Sequence, residues 1–317
     1  MKVSRWLGRR LLMIAVLLVG VSVLVFGLLQ LTPGSPEQIL LGARPTSPQA
    51  LAAVRADFHL DESFLAQYWR WLTGALHLDF GRSIRTGQPV ADVLAERLPI
   101  TLFLSLYAFL LVAVIAIPLG LVSGIRNGTM IDRAATLIST FGVSAPAFAV
   151  GILLLYVFGV ALGWFPVYGP GTGFTDRLWH LTLPAITLSL SVIAVVSRQT
   201  RAAALTVYNE DFVTFARGRG LPRRLIWGRY ALRNSSLPVA TSMGMVFAYF
   251  LTGSVIVEQT FALPGIGELL VGSVSTKDIP VVQALALLAA VVVLVLNLVA
   301  DLLYPVLDPR VRKSVFG

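Results

Sequence analysis

Of the 317 residues, 56% are apolar and 13% charged, where soluble domains run near 45–50% and about 25%, so the composition is that of a membrane protein. The 25 Lys and Arg against 16 Asp and Glu leave a formal charge of +9, and in so apolar a chain that excess belongs in loops flanking membrane spans rather than on a nucleic-acid face. The absence of cysteine excludes disulfides, zinc–thiolate and iron–sulfur centres and a thiol nucleophile. The three lysines, Lys2, Lys277 and Lys313, follow Met1, Thr276 and Arg312, so the chain has no phosphate-binding G-x-x-x-x-G-K-[ST] loop.

A spanning helix needs about 20 mostly apolar residues. Six stretches meet or approach that length: Leu11 to Leu31, Leu98 to Ser123, Ala134 to Leu162, Leu181 to Ser197, Leu237 to Val257 and Ile279 to Leu303. The expected fold class is therefore an all-α integral membrane protein with six transmembrane helices. The first span follows Lys2, Arg5, Arg9 and Arg10, as a signal peptide would, but its apolar run is longer than a cleaved one, and it reads as a retained anchor.

Threading the spans alternately places seventeen basic residues on one side, eight of them between 198 and 236, and eight on the other, six of those in the long loop 32–97. The positive-inside rule then puts both termini and the 198–236 loop in the cytoplasm. The domain plan that follows is a tail and first span over 1–31, an external cap over 32–97, a membrane core over 98–303 that includes the loop 198–236, and a cytoplasmic tail over 304–317. Tyr68, Trp69 and Trp71 lie on a helix-like pattern in the cap. They either meet an external protein, since aromatics are enriched at interface cores, or pack on the chain's own helix ends.

Within 198–236, Asn209 is a suitable N-cap, Glu210 and Asp211 place acid in a first turn, Arg217 and Arg219 sit near the other end, and Gly218, Gly220 and Pro222 stop the helix. The helix expected over 210–218 carries Phe212, Val213, Phe215 and Ala216 on one apolar face. That face is covered either by the ends of this chain's own spans or by another protein.

The run Ala216, Arg217, Gly218, Arg219, Gly220, Leu221, followed by Ala231, Leu232, Arg233, Asn234, Leu237 and Pro238, resembles the coupling loop of permease subunits of binding-protein-dependent ABC importers, in the dipeptide and oligopeptide branch. Thr214, Phe215 and Arg233 depart from the general form of that motif. Further segments extend the resemblance over nearly the whole chain: Arg9 to Leu12 with Pro33 to Pro36, Asp79 to Ser83 with Arg97 to Leu102, Glu258 to Gly267, and Asp308 to Arg312. The resemblance implies a type I ABC importer permease fold whose core spans are the second to the sixth. It implies a non-catalytic subunit without cofactor or metal, in the bacterial inner membrane, that moves di- and oligopeptides by alternating access. The partners it implies are a second homologous permease, two cytoplasmic ATPases and an extracytoplasmic substrate-binding protein, and it gives Phe212, Phe215, Ala216, Arg217, Gly220 and Leu221 the role of coupling to the ATPase. An importer of the same architecture for a metal chelate or an oligosaccharide is the alternative.

The spans contain no Asp, Glu, Lys, Arg or His except Asp301 near the end of the last. That argues against a gradient-driven carrier or channel and against intramembrane catalysis, because His59, His77 and His180 lie in loops or at an edge. Ser144 and Pro146 in the third span, and Ser242, Tyr249, Thr252 and Ser254 in the fifth, either line a polar path or bond back to their own helices. Gly120 with Gly124, and Gly159 with Gly163, have the G-x-x-x-G spacing of close helix approach and read as packing sites.

Overall fold

The computed structural model describes residues 2–31, 35–41, 47–57, 60–222, 225, 226, 228 and 232–307. In chain order the helices are α1 (Lys2–Leu31), α2 (Pro36–Leu41), α3 (Pro48–Asp57), α4 (Phe64–Leu76), α5 (Val90–Ile125), α6 (Met130–Ser144), α7 (Ala147–Leu154, continuing as a π-helix over Leu155–Ala161), α8 (Gly173–Tyr208), α9 (Asp211–Gly218), α10 (Leu232–Gly253), α11 (Val255–Thr260), α12 (Ile266–Ser275) and α13 (Ile279–Leu307). Two compact units result, one of residues 1–99 and 264–298, the other of 100–263 and 299–317.

Four of the expected spans are single helices long and apolar enough to cross a bilayer: Arg5–Gly27, Val90–Ile125, Gly173–Tyr208 and Ile279–Val299. The third is a bent pair, α6 and α7, meeting at 102°. Pro146 is the cause: a residue before proline is pushed out of the α region, and Ala145 is extended at φ −80°, ψ 126°. In the fifth, the described apolar part is the shorter helix Met243–Gly253.

In the first unit α4 packs along α1. Phe26 of α1 meets the rings of Phe64, Tyr68 and Trp71 at centroid distances of 5.3–5.7 Å, and Tyr68 Oη shares a 2.8 Å hydrogen bond with Ser22 Oγ. Tyr68 is buried while Trp69 points outward. Of the two readings of this aromatic group, Tyr68 and Trp71 follow the one in which they pack on the chain's own helix. Asp278, buried at the turn before α13, accepts hydrogen bonds from Ser83 Oγ (2.5 Å) and the backbone N–H of Ile84 (3.0 Å), which pins the loop that carries Asp79 to Ser83. Gln283 Nε2 donates to the carbonyls of Val25 and Phe26, and Arg97 pairs with Glu268.

The second unit is built on α5 and α8. Leu104, Ala108, Val112 and Ala116, one every fourth residue, are fully buried, the i±4 ridge of a packed helix. Gly120 and Gly124 continue that ridge. A Cβ on Gly120 would stand 2.5 Å from the Ser197 carbonyl oxygen and 2.6 Å from Thr200 Cβ, and one on Gly124 would stand 2.8 Å from Ala204 Cβ, so the two helices touch backbone to side-chain base as the glycine spacing implied. Phe250, Val257, Phe261 and Leu263 complete this core.

Candidate functional site: the α8–α9 loop

Every feature of α9 is set by how it leaves α8. Asn209, expected as an N-cap, instead closes α8: its N–H reaches the Leu205 carbonyl, and Glu210 takes the N-cap place of α9 without a side-chain cap bond. One residue of shift suffices, because Asn209 sits at φ −90°, ψ 0°, a helix-end conformation, while Glu210 is extended. The other end is a Schellman motif. Gly220 N–H bonds to the Arg217 carbonyl at 2.9 Å and Leu221 N–H to the Ala216 carbonyl at 3.1 Å, with Gly220 at φ +71°. No atom lies within 4 Å of a Cβ built there, so glycine is required by the left-handed backbone and not by space.

The apolar residues of α9 do not form one face. Val213 and Ala216 are buried against Val207, Ile226 and Leu221, and the Ala216–Leu221 contact is the apolar pair that accompanies this kind of stop. Ala216 therefore faces this chain, contrary to the expectation that it lies in an external groove with the phenylalanines. Phe215 is 73% exposed and Phe212 37%. Small side chains seat the helix, and Phe215 points away from it. The Arg217 guanidinium lies 3.9 Å from the centre of the Tyr208 ring, a cation–π contact that braces the α8–α9 corner.

An ion pair ties this corner to the rest of its unit. Arg201, two helical turns before the end of α8, donates through Nε to Asp132 Oδ1 (2.6 Å) and through Nη2 to Asp132 Oδ2 (2.9 Å). Asp132 is buried and also accepts from Ser123 Oγ (2.5 Å) and Gly128 N–H (2.9 Å). Sequence reading missed this network because Asp132 and Arg201 are 69 residues apart; the one available hint was an acid in the first turn of an apolar helix. Glu258 is likewise fully buried and accepts from Thr101 Oγ1 and Ser254 Oγ, each at 2.8 Å.

The residues expected on a polar path separate. Tyr249 lines a groove of about 410 Å³ with Val143, Ser191, Gln199 and Met245, of which Ser191 and Gln199 were not singled out from sequence. Ser144 and Thr252 bond back to carbonyls of their own helices, Thr140 and Ala248, and Pro146 is exposed at the α6–α7 break. Ser254 is buried on Glu258 and so lines no open surface, a correction to its expected place. Ser242 falls in α10, but its side chain lies outside the described residues.

Among the described residues no group of three or more His, Asp or Glu is placed to hold a metal ion. The family described as binding-protein-dependent transport system inner membrane component matches residues 116–313, and its N-terminal companion matches 3–105. The chain is 37% identical over 304 residues to the glutathione transport system permease protein GsiC of Escherichia coli K12, covering 96% of this chain and 97% of the relative. It is 38% identical over 319 residues to the oligopeptide transport system permease protein AppB of Bacillus subtilis 168, covering 98% and 99%. A chain of the MetNI methionine ABC transporter in its inward-facing form superposes with a TM-score of 0.55 at 14% identity, over 68% of this chain and 96% of that one, a likeness of fold.

Proposed function

The chain belongs to the family of binding-protein-dependent transport system inner membrane components, and from that premise we propose that it carries di- or oligopeptides inward by alternating access, driven through α9. It is a permease subunit of an ABC importer, a multi-pass membrane component without catalytic chemistry of its own, and such a system works with an ATPase and a substrate-binding protein. The peptide cargo is inferred from the relatives named for glutathione and oligopeptide transport. The complement we propose is a second homologous permease and two cytoplasmic ATPases, with both termini and α9 on the cytoplasmic side.

The single observation that carries the mechanism is the outward aromatic side of α9 on a braced corner. Phe215 supplies a large apolar contact for a groove in an ATPase, and aromatic anchors dominate such contacts. Motion of a docked α9 passes to α8 through the Val207–Val213–Ala216 seat and the Arg217–Tyr208 contact. It reaches α5 at Gly120 and Gly124, where no side chain intervenes to absorb it, and α6 through Arg201 and Asp132. ATP-driven closure of the ATPases is thereby turned into movement of the helices around the Tyr249 groove.

Co-purification of the ATPase with the permease, together with ATP-dependent peptide uptake into vesicles, tests this reading in Phe215→Asp at matched membrane levels. Loss of both supports it; normal docking and uptake would remove α9 from the coupling path. Orientation is tested separately, by impermeant maleimide on single cysteines introduced at Thr206 and Ser47 in intact cells. Labelling at 47 only is expected, and labelling at 206 only would invert the topology.

A further inference from the structure

The first unit holds a crevice of about 620 Å³ between the middle of α1, α4, the start of α5 and the middle of α13, with Leu18, Leu72, Leu94 and Leu287 on its four sides. We propose that this crevice is a binding site for one acyl chain of a bilayer phospholipid.

Its volume lies within the roughly 300–1,000 Å³ of small-molecule sites, yet it lacks the polar groups that fix a polar ligand. Ser22 is the sole residue of its lining with a polar side chain, and that hydroxyl is already bonded to Tyr68 Oη and the Val19 carbonyl at 2.8 Å each. Water in such a space would find no partners, and apolar cavities of this kind stay dry or take up apolar guests. The guest at hand is set by depth. Ala15 to Ser22 lie near the centre of the 30-residue α1, and Leu287 to Val291 near the centre of the apolar run of α13. Val16 and Leu24 are exposed on the outside of α1, as they are on a helix whose outer surface meets hydrocarbon. A crevice at that depth opens to acyl chains, and the part of the expected external cap that lines it, α4 and residues 91–95, lies alongside the middle of α1 and not beyond its outer end. It is a slot among four helices of one unit and not a flat face, which fits a flexible single chain better than the broad surface of another helix. The slot is roofed by α4, whose Leu76 and neighbouring Leu78 remain exposed at the rim, so a chain lying in it would fill the space beneath α4 and steady that helix on α1.

The test uses the assembled transporter in vesicles of phosphatidylethanolamine and phosphatidylglycerol doped with a phosphatidylcholine carrying a diazirine in one acyl chain. After illumination, adducts should concentrate on peptides holding Leu18 and Leu72, above those at the exposed apolar positions Val114 and Ile152. Ala91→Phe, or Ala95→Phe if the first fails to assemble, fills the slot and should lower those adducts about tenfold, since the space is then occupied by the ring, with labelling at Val114 unchanged. As a second reading, adding phospholipid to delipidated complex should raise the Tm of wild type and not of the filled variant. Equal labelling of slot and surface, or adducts unaffected by both fillings, would overturn the proposal. So would a photo-leucine at Leu94 that captures a neighbouring protein chain instead of lipid.

Discussion

In α4 the side chains that face home are aromatic: Tyr68 is buried, Trp71 packs on Phe26, and the helix is held to α1 by rings and one hydroxyl pair, with Trp69 turned away from it. In α9 the side chains that face home are small: Val213 and Ala216 make the seat, and Phe215 stands clear of it. Both are short amphipathic helices whose sequences suggest a docking surface, and both leave a large ring exposed, Trp69 in α4 and Phe215 in α9. The lesson is that an apolar face on a short helix indicates that a partner exists without saying which. What distinguishes the cases is the size of the groups facing home. A helix seated by its aromatics has already found its main contact; one seated by alanine and valine keeps its anchors for something else.

Four substitutions break or sharpen this contrast. The largest effect is expected for Phe215→Asp, which should weaken ATPase docking by about 4 kcal/mol, roughly a thousandfold, as loss of an aromatic hot spot does. Amide exchange across 207–221 should stay at its wild-type rate. Ala216→Asp should act from the other side of the same helix. It buries a carboxylate against Val207 and Ile226 and should cost about 3 kcal/mol of local stability, read as faster exchange over 213–221 in the permease before any ATPase is added. If Phe215→Asp loosened the loop and Ala216→Asp did not, the division of α9 into seat and anchor would fail. Gly220→Ala should cost about 1–2 kcal/mol, because the left-handed backbone is forced on a residue with a Cβ, again measured by exchange at 216–221. The smallest effect belongs to α4: Tyr68→Phe keeps the ring and removes the hydroxyl, and should lower the stability of the first unit by about 1 kcal/mol, with ATPase docking unchanged. A loss of docking there would erase the difference between the two helices.

What could be read ahead of the structure was whatever depends on local chemistry. Gly220 after a helix-forming run, the four-residue spacing of Gly120 and Gly124, and the length of four of the six apolar runs each follow from backbone geometry, and each falls where that geometry put it. The break at Pro146 was legible by the same rule, since a residue before proline avoids the α region, but a long apolar run disguised it as one span. Side-chain direction on α9 was not legible: Phe212, Val213, Phe215 and Ala216 are all apolar, and which pair faces home depends on Val207 and Ile226 across the corner. The buried acids were hidden for a related reason. Asp132, Glu258 and Asp278 lie outside or at the edge of the apolar runs, and their partners Arg201, Thr101 and Ser83 are 69, 157 and 195 residues away. An acid beside a span gives no sign of a distant hydroxyl or guanidinium that makes its burial affordable.

The glycine ridge of α5 also bears on how the protein is made. During synthesis α5 enters the membrane well before α8, so the strip at Gly120 and Gly124 faces lipid, bare of side chains, until residues 197–204 arrive to cover it. Lipid cannot follow so shallow a groove as closely as the Ser197, Thr200 and Ala204 side of α8 does. The pairing of these two helices is thus a late step that waits until residues 197–204 have left the ribosome, and any other helix with small residues on one side competes for the strip in the interval.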